Sequence, residues 1–306
     1  MSQKKMKVGL IQIDGKIPNL ALMKLATWHK QRGDDITILD ISSLEFDRIY
    51  GSKIFMGGPG YDLKSELPPE IEAVVPDYDL FKLDYSIGFT TRGCIRDCGF
   101  CIVQEKEGMI RETPMDWIKN TKIVVLDNNF LASSKWKEKL QYFIDNECKV
   151  SFMQGIDIRL VNEENAKLLS KIKFYESKFR FRRLCFSFDD PSLDNAVRKG
   201  VDILNKAGIP NKKLMIYVLV GYNTIFEQDQ QRVNTILSLG CAPYIMPYNN
   251  KVTPQLRRFT RWVNGRYYRM CKWEEFDQKM THLFYKKRMR KIKEALENKG
   301  DGLNGQ

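Results

Sequence analysis

Three cysteines fall within eight residues in the segment Gly93-Cys94-Ile95-Arg96-Asp97-Cys98-Gly99-Phe100-Cys101, a C-x3-C-x2-C spacing. Thiolates suit iron–sulfur clusters or zinc, and a structural zinc site is normally closed by four ligands. No fourth Cys or His lies near the segment. The chain's two histidines, His29 and His282, sit in helical stretches where a surface or packing role is expected. Three thiolates on a [4Fe-4S] cube leave one iron open to hold a substrate or cofactor, which a structural site does not need. Gly93 and Gly99 let the chain turn tightly around so bulky a group. A zinc site completed by a distant residue stays open as the other reading. The other four cysteines, Cys148, Cys185, Cys241 and Cys271, stand singly in or beside apolar runs. They read as small buried hydrophobes and not as a disulfide framework.

The elements that must position this segment follow from hydrophobic periodicity. β-rich runs recur at Tyr85 to Phe89, Lys122 to Leu126, Cys148 to Met153, Leu184 to Phe188, Lys213 to Val220 and Ala242 to Met246. Helical spacing fills Lys135 to Asn146, Asn162 to Ile172, Asp194 to Ala207 and Ile225 to Leu239. Six βα units are too few for a closed eight-stranded barrel, so an open, partial (βα)6 barrel is expected, with its chemistry at the C-terminal ends of the strands. The cysteine segment directly follows the first of these strands.

Before the barrel, Lys7 to Ile13, Leu20 to Arg32, Ile36 to Ile41 and Ile54 to Met56 read as a small βαβ, Rossmann-like domain with a parallel sheet. Gly57-Gly58-Pro59-Gly60 reads as a turn, since it lacks the spacing of a phosphate-binding loop. Prolines between Leu67 and Asp77 suggest a wrapping linker. The expected α/β organisation is therefore a small domain over residues 1–80, the barrel over 81–250 and a basic helical tail over 251–306.

The cysteine spacing, with the aromatic Phe100 just before the last Cys, resembles the signature of the radical S-adenosylmethionine superfamily, and the partial barrel agrees with that superfamily's fold. The resemblance implies a [4Fe-4S] cluster on Cys94, Cys98 and Cys101 whose open iron holds S-adenosylmethionine. Reductive cleavage then yields methionine and a 5′-deoxyadenosyl radical that abstracts hydrogen from a substrate. The cofactor's zwitterionic head calls for carboxylates, amides and free backbone groups at the strand ends. Asp127 and Asn128 stand where the family has a Gly-Gly-Glu-like motif for the methionyl amine, a departure from the usual pattern. Arg159 could pair with the methionyl carboxylate and Asp157 with a ribose hydroxyl or the substrate, or the two could simply close their loop. Asp189-Asp190-Pro191 could equally cap a helix. Gly221 lies in a stretch similar to the one that packs on adenine, and Phe100 would meet the adenine through its backbone.

The N-terminal domain resembles a cobalamin-binding domain in outline, but the ligand motif Asp-x-His-x-x-Gly is absent around His29, so no cobalamin is expected. The three extra N-terminal cysteines of a methylthiotransferase are missing too. By resemblance, flavodoxin or ferredoxin is the expected reductant.

The formal charge is +12, and residues 251–306 alone hold 15 Lys or Arg against 6 Asp or Glu. Arg257, Arg258, Arg261, Arg266 and Arg269 interleave there with Phe259, Trp262, Tyr267 and Tyr268, a mixture suited to bases and phosphates or to packing over a barrel mouth. Nucleic acid or a nucleotide derivative is thus conceivable as substrate. The competing class is a nucleic-acid-binding protein with a structural metal. No apolar run approaches the ~20 residues of a membrane span, and the N-terminus lacks a signal-peptide stretch, so a cytoplasmic protein without membrane partners is expected.

Overall fold

The computed structural model describes residues 5–15, 17–39, 45–52, 67–248, 252–276 and 290. It is a mixed α/β fold with mostly parallel strand pairing. By its contacts the chain forms two compact units, one comprising residues 1–97, 101–156 and 167–184, the other 98–100, 157–166 and 185–306.

The first unit opens with β1 (Lys7–Gln12), α1 (Leu20–Lys30), β2 (Asp35–Ile38) and β3 (Arg48–Ser52), paired in parallel in the order β2-β1-β3. The strand expected at Ile54 to Met56 and the turn at 57–60 lie outside the described residues, whereas β3 was not anticipated. Asn19 caps α1 by accepting the Leu22 N–H at 3.1 Å. The helix is apolar on more than one face because it is covered on more than one. Leu22, Leu25 and Ala26 pack with Val8, Leu10 and Tyr50, while Met23 joins Tyr78, Ile87 and Val124. His29 is a packing residue in this core. Its ring bonds Asp34 at 2.7 Å and the Tyr50 hydroxyl at 3.2 Å.

The segment expected to be a wrapping linker is packed as well as proline-rich. A short 3-10 turn, Pro69–Ala73, buries Ile71 in the first core, and Tyr78 enters the second. The Tyr78 hydroxyl donates to the Trp117 carbonyl at 2.8 Å and accepts from Ile87 N–H at 3.3 Å, and burial pushes its pKa up to about 12.

A second sheet in this unit has the order β4-β7-β8-β9, formed by β4 (Ser86–Gly88), β7 (Lys122–Val125), β8 (Lys149–Phe152) and β9 (Lys173–Phe174), all parallel. Between β4 and β7 lie β5 (Thr91–Arg92), the one-turn helix α2 (Val103–Glu107) and β6 (Arg111–Glu112), with β5 and β6 forming a short antiparallel ribbon. Helix α3 (Trp136–Asp145) precedes β8, and α4 (Glu163–Lys171) precedes β9.

The second unit carries β10 (Leu184–Ser187), α5 (Asp194–Lys206), β11 (Leu214–Val220), α6 (Phe226–Ser238) and β12 (Ala242–Pro247), with sheet order β10-β11-β12. Arg232 of α6 is fully buried. It donates to the Phe188 carbonyl at 2.8 Å and the Leu219 carbonyl at 2.7 Å and pairs with Asp229, tying the ends of β10 and β11 together. A charge removed from water this far persists only with such partners.

Helix α7 (Pro254–Asn264) lies in the tail expected to be helical and starts from Thr253, whose hydroxyl accepts the Leu256 N–H at 3.1 Å. The aromatic half of the Arg–aromatic tail packs inward. Phe259 and Trp262 are buried among Phe226 and Trp273, and Arg258 donates to the Phe276 carbonyl. Arg257, Arg261 and Arg269 are exposed. Most of the basic tail after Phe276, His282 included, lies outside the described residues. Among the described residues, no helix is long and apolar enough to cross a membrane.

Candidate metal and cofactor site

In the first unit, the end of β7 is built to hold the start of the cysteine segment. Asp127 is buried, and its Oδ1 accepts the backbone N–H groups of Thr90 at 2.6 Å and Thr91 at 3.1 Å while Oδ2 accepts the Thr90 hydroxyl. Burial pushes its carboxyl above the ordinary aspartate range, against the pull of these hydrogen bonds. Asn128 Oδ1 accepts the Gly93 N–H at 3.1 Å, and Asn129 Nδ2 donates to Cys94 Sγ at 3.5 Å. Three consecutive side chains thus engage residues 90–94.

Other groups fix the same stretch. Gly93 has φ +78°, and a Cβ there would lie 2.4 Å from the Met109 carbonyl oxygen, so only glycine fits. Gln104 Nε2 donates to the Cys94 and Arg96 carbonyls, the latter at 2.9 Å. Arg92 grips Glu107 through both its Nε and Nη2, closing α2 onto β5. Beneath them Lys139 of α3 is buried, donating to the Thr90 carbonyl at 2.8 Å and Ser133 Oγ at 3.0 Å and pairing with Glu112. Cys94 is half-buried with a second donor, the Arg96 N–H, 3.3 Å from its sulfur, and Cys101 is exposed.

In the second unit, Cys98 is half-buried, with the Arg159 charge nearby. Burial works against the Arg159 charge, but its hydrogen bonds to Asp157 and the nearby Cys98 sulfur outweigh this and raise its pKa. Asp157 is buried and receives Arg159 Nε at 2.6 Å, Nη2 at 2.9 Å and the backbone N–H at 3.1 Å. The Asp–Arg pair therefore closes its own turn, the plainer of the two roles considered from sequence.

At the end of β10 the two aspartates divide. Asp190 caps the following turn through the Ser192 N–H at 2.9 Å. Asp189 is pushed upward by burial, opposed by the Ser187 hydroxyl, the Arg232 charge, the Leu219 N–H and the Arg159 charge. At the end of β11, Gly221 takes φ +77° and its N–H points to Asp229 Oδ2 at 3.3 Å. The next residue, Tyr222, sets its ring edge-on to Phe100, centroids 5.6 Å apart, and its hydroxyl lies where a Cβ on Gly99 would be 2.7 Å away.

Sequence reasoning missed Asn129, Gln104, Glu112, Lys139 and Tyr222. One signal was available: Lys139 lies on the helix face marked by Trp136, Leu140 and Phe143, where a lysine needs a buried partner. Cys148, Cys185 and Cys241 are buried as expected. Among the described residues, no three His, Cys, Asp or Glu side chains are gathered closely enough to hold a metal ion. The donor chemistry nevertheless suits a thiolate-ligated cluster, because N–H or guanidinium donors approach two of the three sulfurs.

No protein-family model matches this chain, and no curated protein matches it.

Proposed function

We propose that the chain is a radical S-adenosylmethionine enzyme with a partial (βα)6 barrel, whose Cys94, Cys98 and Cys101 carry a [4Fe-4S] cluster. The observation that carries this reading is the C-x3-C-x2-C segment leaving β4, with its backbone pinned by the end of β7. When bound, the cluster would supply the one electron that reductive cleavage of S-adenosylmethionine requires.

The chain's own residues hold, orient and screen. Asp127 and Asn128 act through the loop they fix. Asn129 and the Arg96 N–H donate to the Cys94 sulfur, and Arg159 places its charge near Cys98. Arg159 is the group for the methionyl carboxylate, oriented by Asp157. Gly221 and the Phe100–Tyr222 pair provide an open backbone and an aromatic wall for adenine. Metal binding is coupled to folding, and cluster assembly would have to gather the three thiols. The seven free cysteines fit a reducing cytoplasm, with flavodoxin or ferredoxin as electron donor.

The test is anaerobic reconstitution followed by dithionite and S-adenosylmethionine. The expected result is about four irons per chain and release of 5′-deoxyadenosine. A chain that takes up only zinc and leaves the cofactor intact would overturn the reading.

A further inference from the structure

Residues 171–183, Lys-Ile-Lys-Phe-Tyr-Glu-Ser-Lys-Phe-Arg-Phe-Arg-Arg, hold six cations and four aromatic rings against one carboxylate. That carboxylate is used inside the turn. Glu176 accepts the backbone N–H groups of Lys178 at 3.0 Å and Arg180 at 2.8 Å, while its own N–H donates to the Phe181 carbonyl at 3.2 Å. Phe179, at φ +56°, is held against Tyr85 and Tyr175, with ring centroids 6.0 and 6.4 Å away. The turn is therefore a fixed scaffold.

On it, guanidinium groups and rings alternate. Arg183 lies 4.6 Å and Arg180 5.8 Å from the centroid of Phe181, and Arg182 lies 4.2 Å from that of Phe174. Phe181 is 38% exposed, and Lys178 and Arg180 are exposed beside it. Some of the charge is answered locally, since Lys173 pairs with Glu147 at 3.0 Å and Arg180 Nε lies 3.5 Å from Glu176. Lysines on an edge strand such as β9 also discourage strand pairing, but that role needs neither arginines nor an exposed ring. Flat cations and flat rings together match a polymer with flat bases and regularly spaced phosphates, which an acidic protein surface does not offer.

We propose that residues 171–183 form a binding surface for single-stranded nucleic acid, with bases stacking on Phe181 and the Arg183 guanidinium and phosphates meeting Lys178 and Arg180. The surface stands independently of any cluster, so the metal-free full chain should bind.

Fluorescence anisotropy would use a labelled oligouridine about twelve nucleotides long, a duplex of equal charge and a polyglutamate of equal charge. The oligouridine should bind tightest. Phe181→Leu, which keeps apolar volume and removes the ring, should weaken it about 5- to 100-fold without changing the salt dependence. The double variant Lys178→Gln/Arg180→Gln, which changes two exposed side chains, should lower the slope of log affinity against log salt by about 1.4. Unchanged melting temperatures will confirm that the variants fold. Equal binding of polyglutamate, preference for the duplex, or wild-type behaviour of both variants would each overturn the proposal.

Discussion

Cys94 and Cys98 are four residues apart yet are held by opposite strategies. Around Cys94 the chain uses buried, fully engaged polar groups: Asp127 with three donors, Lys139 with a carbonyl, a hydroxyl and a carboxylate, and a glycine that no other residue can replace. Around Cys98 it uses one partly exposed guanidinium, itself fixed by Asp157. The difference separates stability from ligand binding. Removing a buried partner strands other polar groups, whereas exchanging a partly exposed cation for another keeps the buried Asp157 paired.

The two sides should be alike in only one respect. Replacing Cys94, Cys98 or Cys101 by Ala should reduce iron from about four per chain to a residual level and abolish 5′-deoxyadenosine release, read by iron assay and product chromatography. Full activity in any of the three would break the shared role.

The sides should part in denaturation. Asp127→Ala leaves the Thr90 and Thr91 donors buried without acceptors and should cost about 3 kcal/mol in urea unfolding, while Asp127→Asn, which keeps an acceptor oxygen, should cost less than about 1 kcal/mol. Equal losses would mean that the loop is not held by this carboxylate's acceptors. Lys139→Met should cost about 2 kcal/mol, because Glu112 and the Thr90 carbonyl lose their donor, and adding Glu112→Gln should recover part of it. Failure of the second change to help would show that the ion pair is not the source.

On the Cys98 side, Arg159→Lys, which keeps a cation beside the buried Asp157 but loses the planar fork, should change stability by less than about 1 kcal/mol. Its affinity for S-adenosylmethionine, measured calorimetrically on the reconstituted protein, should fall about tenfold or more. Loss of stability with unchanged affinity would reverse the contrast.

The smallest effect is pH dependence. Asp127 has a folded pKa above its unfolded value, so the folded chain binds more protons between the two. Its contribution to stability is present below the unfolded aspartate value and declines as pH rises through the folded one. Urea midpoints across acid pH should show this decline, and Asp127→Asn should flatten it. An unchanged profile in the variant would place the titration elsewhere.

Much of this was legible beforehand. Each of the six β-rich runs expected after residue 80 contains a strand, and the helices expected at 135–146, 162–172, 194–207 and 225–239 appear with ends shifted by about one residue. Alternation and 3.6-residue spacing are local properties, so a local reading finds them. The two-residue strands β5, β6 and β9 escaped because they are too short to carry a period. Partners also escaped: Asp127 reads as a free ligand in the chain, and only the β4–β7 register sets it against Thr90, 37 positions away.

The amino-acid order by itself determined that three thiols lie close enough along the chain to share a metal group, and that a strand precedes them. Tertiary structure alone decided which polar side chains hold that segment and which are left to meet a ligand. It also decided which Arg–aromatic stretch turns its rings inward, at α7, and which keeps one in solvent, at Phe181. Both stretches combine arginines with aromatic rings. Burial depends on what the rest of the chain packs against them, and no local pattern encodes that.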